Sequence, residues 1–183
     1  MSIKFKTVAQ SQVTMSLLML PSHSNFSGKI HGGFILSLLD QIAFASASKF
    51  SGHYCVTASV DTVDFLNPID VGELVTLKAC VNFVGKTSMV VGIRVEAENI
   101  HTGAIKHCNS SYFSMVAKDE EGKPTLVPGL IIKTKQEYRR FLNALNRKKK
   151  QKEIDNYKLA ADYTFEPLES DLSQYNVRFE SWS

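Results

Sequence analysis

The 183-residue chain has no CxxC pair and only three cysteines, Cys55, Cys80 and Cys108. An odd number, all in strand-like runs, argues against a disulfide framework and for buried free thiols in a reducing compartment. His23, His53, His101 and His107 stand at no metal-ligand spacing, so no metal is expected. The opening residues, Met1-Ser-Ile-Lys-Phe-Lys6, lack an apolar core and a small-residue cleavage site, which makes the cytoplasm the expected location. No apolar run suits a bilayer: the longest, of about 17 residues, is flanked by polar turns and contains an acid. Repeats and low-complexity tracts are absent. The one basic run, Arg147–Lys152, comes with no nucleic-acid motif; it reads as a solvated helix face, and no nucleic-acid partner is expected.

What is present describes an ordinary globular chain, 44% hydrophobic and 21% charged, with net charge +3. The charge is unevenly spread. Residues 1–132 hold ten basic and ten acidic side chains, residues 133–158 ten basic and three acidic, and residues 159–183 one basic and five acidic. A neutral body is therefore followed by a basic segment and an acidic, aromatic-rich end. The division expected is a domain over 8–128 and a C-terminal extension over 129–183.

Residues 8–20 read as a first strand, and Pro21–Ser24 as a turn. A glycine-rich loop, 25–33, then runs into a helix apolar on every face (Phe34, Ile35, Leu36, Leu38, Leu39, Ile42, Ala43, Phe44), which belongs inside a core and stops at Gly52. Four strand-like runs follow: His53–Phe65, Glu73–Val84, Ser88–Asn99 and Ala104–Lys118. Gly85-Lys86 sits between two alternating runs, so a tight hairpin is expected there. Residues 133–158 read as a charged helix. One buried helix and a meander of strands predict an α+β fold, a curved antiparallel sheet of about five strands wrapped around the helix.

Three features of this pattern carry chemistry. Gly32 and Gly33 open the apolar helix, where backbone comes closest to a ligand and the first N–H groups have no intrahelical acceptor. The Gly33 N–H, at the positive end of the helix dipole, is the candidate oxyanion donor. Asp40 is a lone carboxylate inside the apolar helix, and burial there requires a partner or a task; it is the candidate base or nucleophile. Asp40 lies seven residues past Gly33, about 10 Å along the axis, too far for both to grip one carbonyl within a single chain. The turn Gly85-Lys86-Thr87-Ser88 offers backbone, hydroxyl and ammonium donors suited to phosphate.

These pieces resemble, in order, the hotdog-fold acyl-CoA thioesterases, in their bacterial acyl-CoA hydrolase (YciA-type) branch. The matching stretches are Asn25-x-x-Gly28-x-x-x-Gly32-Gly33 leading to Asp40, Val56-Thr57-Ala58-Ser59-Val60-Asp61-x-Val63-Asp64-Phe65-x-x-Pro68, Gly72-Glu73-Leu74-Val75, Gly85-Lys86-Thr87-Ser88-Met89, and Phe113-x-x-Val116-Ala117-x-Asp119. They cover residues 12–128. His31 before the glycine pair resembles instead a sister branch, the small phenylacetyl- and hydroxybenzoyl-CoA thioesterases, and leaves the acyl group open. The resemblance implies hydrolysis of acyl-CoA to free acid and coenzyme A, with no cofactor beyond the coenzyme A of the substrate. It implies a site shared by two subunits, with Asn25 of one facing Asp40 of the other, and often three such dimers in a hexamer. A dimer is also expected because one helix and one sheet leave a wide apolar surface. The resemblance further implies that Asn25 orients the thioester or water, that Asp40 activates the attack, and that His31, Gly32, Gly85, Lys86, Thr87 and Ser88 contact substrate and coenzyme A. Two other readings of the same fold are a non-catalytic acyl-CoA sensor and an acyl-thioester hydratase or dehydratase.

Overall fold

The computed structural model describes residues 4–160; the acidic, aromatic-rich end lies, past 160, outside the described residues. The central helix, α1, spans Gly32–Ser51. It stops where Gly52 turns left-handed at φ 78° and donates its N–H to Ser48 O at 2.8 Å. Ile35, Leu38, Leu39, Ile42, Ala43, Ala47 and Phe50 recur every three or four residues and are buried. Fully burying a side chain such as Leu39 contributes about 1.5–3 kcal/mol.

The sheet that receives this face is built from β2 (Val13–Leu18), β3 (Tyr54–Val60), β5 (Glu73–Val84), β6 (Ser88–Asn99) and β7 (Ile105–Lys118). All neighbours are antiparallel, in the order β2-β5-β6-β7-β3, and a short β4 (Asp64–Phe65) also pairs with β7. Alternation along the strands sends Val75, Leu77, Ala79 and Val81 of β5, Val91, Ile93 and Val95 of β6, and Phe113, Met115 and Ala117 of β7 into the same core as α1. The α+β hotdog arrangement expected from the sequence is the one observed. β1 (Phe5–Thr7) and β8 (Gly129–Ile131) form a separate parallel pair. The three cysteines are buried free thiols, and among the described residues no helix is long and apolar enough to cross a membrane.

Three expectations are corrected. The first strand begins at Val13, because Val8–Ser11 forms a 3-10 turn. Buried Ser11 ties that turn down: its hydroxyl donates to Val8 O and accepts the Val81 N–H at 2.9 Å. The run His53–Phe65 is not one strand. It bulges between Thr57 and Ser59, then breaks where the Asp61 carboxylate takes the Thr62 N–H at 2.8 Å. Finally, α1 is not buried all round. Leu36, Ser37, Asp40, Gln41 and Phe44 form an exposed stripe beside β3, so Asp40 is a surface carboxylate of the single chain.

The charged helix, α2, spans Lys135–Ala160. The compact body runs to Lys148, and residues from Lys149 form a second unit. Within the body α2 lies on the outer face of the sheet: Phe141 stacks on Phe83 at 5.8 Å, and Ala144 is fully buried. Two members of the basic run reach the sheet. Arg147 pairs with Asp61 at 2.6 Å and lies over the Tyr112 ring, while Lys148 lies over Phe83.

Candidate active site

The loop that leads into α1 is closed by Asn25. Its side-chain oxygen accepts from the Ser27 N–H at 2.9 Å, the Ser27 hydroxyl at 2.7 Å and the Lys29 N–H at 3.2 Å. Gly28, at φ 77°, completes the turn by donating to Asn25 O. With Oδ1 engaged by its own loop, Asn25 has its Nδ2 donor pair to offer a ligand. Phe26, at the tip, is fully exposed.

Charge holds this loop to the sheet. Lys29 pairs with Asp70, which also takes Lys106 at 3.2 Å, and Lys106 reaches buried Glu73 at 2.9 Å. The Lys29 hydrogen bond, with that of Lys106, holds the Asp70 carboxyl below the usual carboxylate range against the cost of burial. Backbone bonds run alongside, from Ile30 N to Ile69 O and from His31 N to His23 O, both at 2.9 Å.

His31 is the N-cap of α1, and its Nδ1 accepts the Gly33 N–H at 2.9 Å. That geometry requires the neutral ring with its proton on Nε2. The donor that the sequence assigns to the oxyanion is therefore held by the ring next to it. The Gly32 N–H, also in the first turn, has no acceptor among the described residues. The Phe65 ring lies 3.5 Å from where a Gly32 side chain would begin, so a methyl there would fill the space between helix end and ring.

Two turns on, Asp40 Oδ1 accepts a 2.5 Å hydrogen bond from Thr57 Oγ1 on β3. The pair is exposed, with apolar side chains beside it. Leu36 and Phe44 flank Asp40 on α1, and Tyr54 of β3, 64% exposed, packs edge-on to Phe44 at 5.4 Å. β3 is also an edge strand, with one row of backbone groups unpaired.

The turn Gly85–Ser88 is the expected hairpin, closed by Gly85 N donating to Ser88 O at 2.7 Å. Thr87 O accepts from Ala117 N at 3.0 Å, and Lys86 O from Val127 N at 3.2 Å. Met115 on β7 pairs with both Met89 and Thr57. The turn therefore stands two strands from the Thr57–Asp40 pair, roughly 10 Å at about 4.8 Å per strand. Lys86 is exposed, and Lys148 reaches the Ser88 hydroxyl at 3.5 Å.

The structure thus joins Asn25, His31, Gly32 and Gly33 in one loop and helix start, and it sets Asp40 on the exposed stripe with the hairpin turn nearby. Sequence reading missed Thr57. The signal was alternation: Thr57 shares a face with buried Cys55, the face turned toward α1. It also missed that His31 caps the helix, since histidine is not among the usual capping residues.

The profile of the thioesterase superfamily matches residues 27–104. Protein VdlD of Helicobacter pylori is 46% identical over 142 residues, which span 78% of this chain and 81% of that protein. A hexameric acyl-CoA thioesterase solved in the apo state is 37% identical, with a TM-score of 0.82 over 84% of this chain and 98% of its own. The acyl-CoA hydrolase of Staphylococcus aureus, solved with butyryl coenzyme A, coenzyme A and coenzyme A disulfide, is 30% identical, with a TM-score of 0.78 over 85% and 96%. Further structures of that hydrolase carry alanine in place of an aspartate, an asparagine and a threonine. The chain belongs to the thioesterase superfamily, among its hotdog-fold acyl-CoA thioester hydrolases.

Proposed function

We propose that this chain hydrolyses acyl-CoA to free acid and coenzyme A at a site shared by two protomers, with Asp40 as general base and Thr57 fixing its carboxylate. The observation that carries the reading is the Thr57–Asp40 pair, an exposed, oriented carboxylate inside an apolar face beside an edge strand. A single chain gains nothing from that arrangement, whereas a second copy covers the apolar side chains and encloses the carboxylate. The substitutions in the Staphylococcus aureus hydrolase support the assignment. Its asparagine, aspartate and threonine are separated by 15 and 17 residues, as are Asn25, Asp40 and Thr57.

Asp40 Oδ1 is held by Thr57, so Oδ2 faces an attacking water. The carboxylate takes a proton as the water oxygen bonds to the thioester carbon. The carbonyl oxygen, now an oxyanion, takes the Gly32 N–H and, once the His31 ring turns aside, the Gly33 N–H of a helix start. Collapse breaks the carbon–sulfur bond, and the thiolate of coenzyme A recovers the proton from Asp40. Asn25, from the partner's loop, orients the carbonyl through Nδ2, and the Gly85–Ser88 turn holds the phosphates. The hexameric relatives support a trimer of such dimers here.

The test is complementation. Asn25→Ala and Asp40→Ala chains are each inactive in a thiol-release assay on acyl-CoAs of graded length. Coexpressed, they form mixed dimers with one intact site of two, and activity returns to about a quarter of the parent's. No recovery from properly mixed dimers would show that Asn25 and Asp40 serve the same protomer, and an active Asp40→Ala chain would remove Asp40 from the reaction.

A further inference from the structure

The outer face of the sheet, opposite α1, carries a concavity. It has a volume of about 570 Å³ and lies between β5, β6, β7 and the first turns of α2. The substrate site on the α1 face does not use it. Its floor is built by a local irregularity. The β5–β6 register shifts between Val81 and Phe83, and Asn82 is the extra residue. Its carboxamide lies over Gly92, where a β-carbon would sit 2.1 Å from Nδ2. Only glycine at 92 leaves room for it.

Asn82 is 4% exposed, and its Oδ1 accepts from the Cys80 thiol at 3.3 Å. Its Nδ2 group has no acceptor among the described residues, yet it lines the groove. The residue is buried but this nitrogen is not sealed in the interior, so its donor pair is available to an acceptor in the groove. The charge above it is positive. Arg139 and Arg140 come from α2, and neither has a carboxylate partner among the described residues; Arg140 reaches only the Cys80 sulfur, at 3.8 Å. Lys78 and Arg94 share the single carboxylate of Glu96, so one positive charge of that trio is uncompensated.

We propose that this groove binds a phosphate-bearing anion, whose oxygens accept from Asn82 Nδ2 and from the Arg139 and Arg140 guanidiniums. Guanidinium–phosphate pairing is charge-assisted and bidentate, which suits this donor set. The volume exceeds that of bare phosphate and leaves room for the organic remainder of a phosphomonoester. Two sources present that chemistry, a free phosphate metabolite and the 3′-phosphate of a coenzyme A molecule.

Calorimetric titration of the full chain with inorganic phosphate tests the site independently of turnover. Binding is expected in the parent and, unchanged, in Asp40→Asn. Asn82→Asp replaces the donors with a carboxylate and should weaken binding at least about tenfold. Arg139→Gln, at an exposed position, should weaken it severalfold and keeps the test decisive where the buried variant does not fold. Coenzyme A displacing the phosphate while dephospho-coenzyme A does not would assign the site to the 3′-phosphate; displacement by neither would assign it to a free anion. Absence of phosphate binding, binding unchanged in the groove variants, or binding lost in Asp40→Asn would each overturn the proposal.

Discussion

Thr57 Oγ1 and Asp40 Oδ1 meet at 2.5 Å, and this bond joins the edge strand to the exposed side of the central helix. The hydroxyl also contacts the Met115 sulfur at 3.5 Å, so its rotamer is fixed from the core side. A carboxylate oriented in this way presents its second oxygen in one direction, and positioning of that kind contributes to rate. Thr57→Val keeps the shape and removes the bond; kcat in a thiol-release assay should fall about tenfold or more, while Thr57→Ser retains most of it. Asp40→Asn should lower kcat by about 10²–10⁴. Circular dichroism should show both variants folded, because neither residue is in the core.

Oxygen isotope incorporation separates the two ways Asp40 can act. With Asp40 as a base, a single turnover in heavy-oxygen water labels the product acid and leaves the Asp40 carboxylate unlabelled. With Asp40 as nucleophile, its attack expels the thiolate and forms a mixed anhydride, and water opening that anhydride at the aspartyl carbon puts the label in the carboxylate and leaves the first product acid unlabelled. Mass spectrometry of the peptide containing Asp40 reads the difference; the geometry favours the base, since Thr57 already holds one carboxylate oxygen.

Much of this architecture was legible because the signals were periodic. Val75, Leu77, Ala79 and Val81 alternate cleanly, and their strand runs as expected. The break near Asp61 was not legible, because it depends on one side chain taking its neighbour's N–H. The burial of α1 was overread: Leu36 and Phe44 are apolar yet exposed in the chain, and apolar spacing alone does not tell which side of a helix the core covers. The His31 cap escaped notice because it requires the ring to fold back two residues onto Gly33. The sequence singled out Gly32-Gly33 and Asp40 because backbone freedom and a stray charge stood out there, and the structure places them at the helix start and on its exposed stripe. Thr57 did not stand out, because threonine is ordinary in a strand.

Because His31 caps α1, His31→Ala leaves the Gly33 N–H without its acceptor. Loss of a helix N-cap costs about 0.5–2 kcal/mol, so the denaturant midpoint should fall, and His31→Asn should recover most of it. Turnover should survive in both, since the freed N–H remains directed at the incoming oxygen. A His31→Ala enzyme of unchanged stability would show that the ring does not cap the helix in solution.

If the proposed site is shared by two protomers across the apolar face around Asp40, assembly is a condition of activity. Leu36→Glu places a charge between the helices that a dimer brings together, and burying an unpaired charge is costly. Light scattering should show a shift to monomer, with thiol release lost in parallel. A monomeric Leu36→Glu chain with full turnover would refute the shared site, because Leu36 itself makes no hydrogen bond in the mechanism.

Glu96 links stability, pH and the outer groove. Hydrogen bonds from Lys78 and then Arg94 hold its carboxyl down to about 2, from an ordinary value of 4.5. A depressed folded value stabilises the folded state above the ordinary value, and that contribution is lost as pH falls toward the folded one. Glu96→Gln should therefore melt below the parent by a constant margin at neutral pH. The margin should shrink between pH 4.5 and 2. It should be small and sensitive to salt, since Lys78 and Arg94 are about half exposed. The same substitution releases both cations toward the groove. Inorganic phosphate should then bind more tightly to Glu96→Gln than to the parent, and weaker binding would show that the two cations act on Glu96 alone.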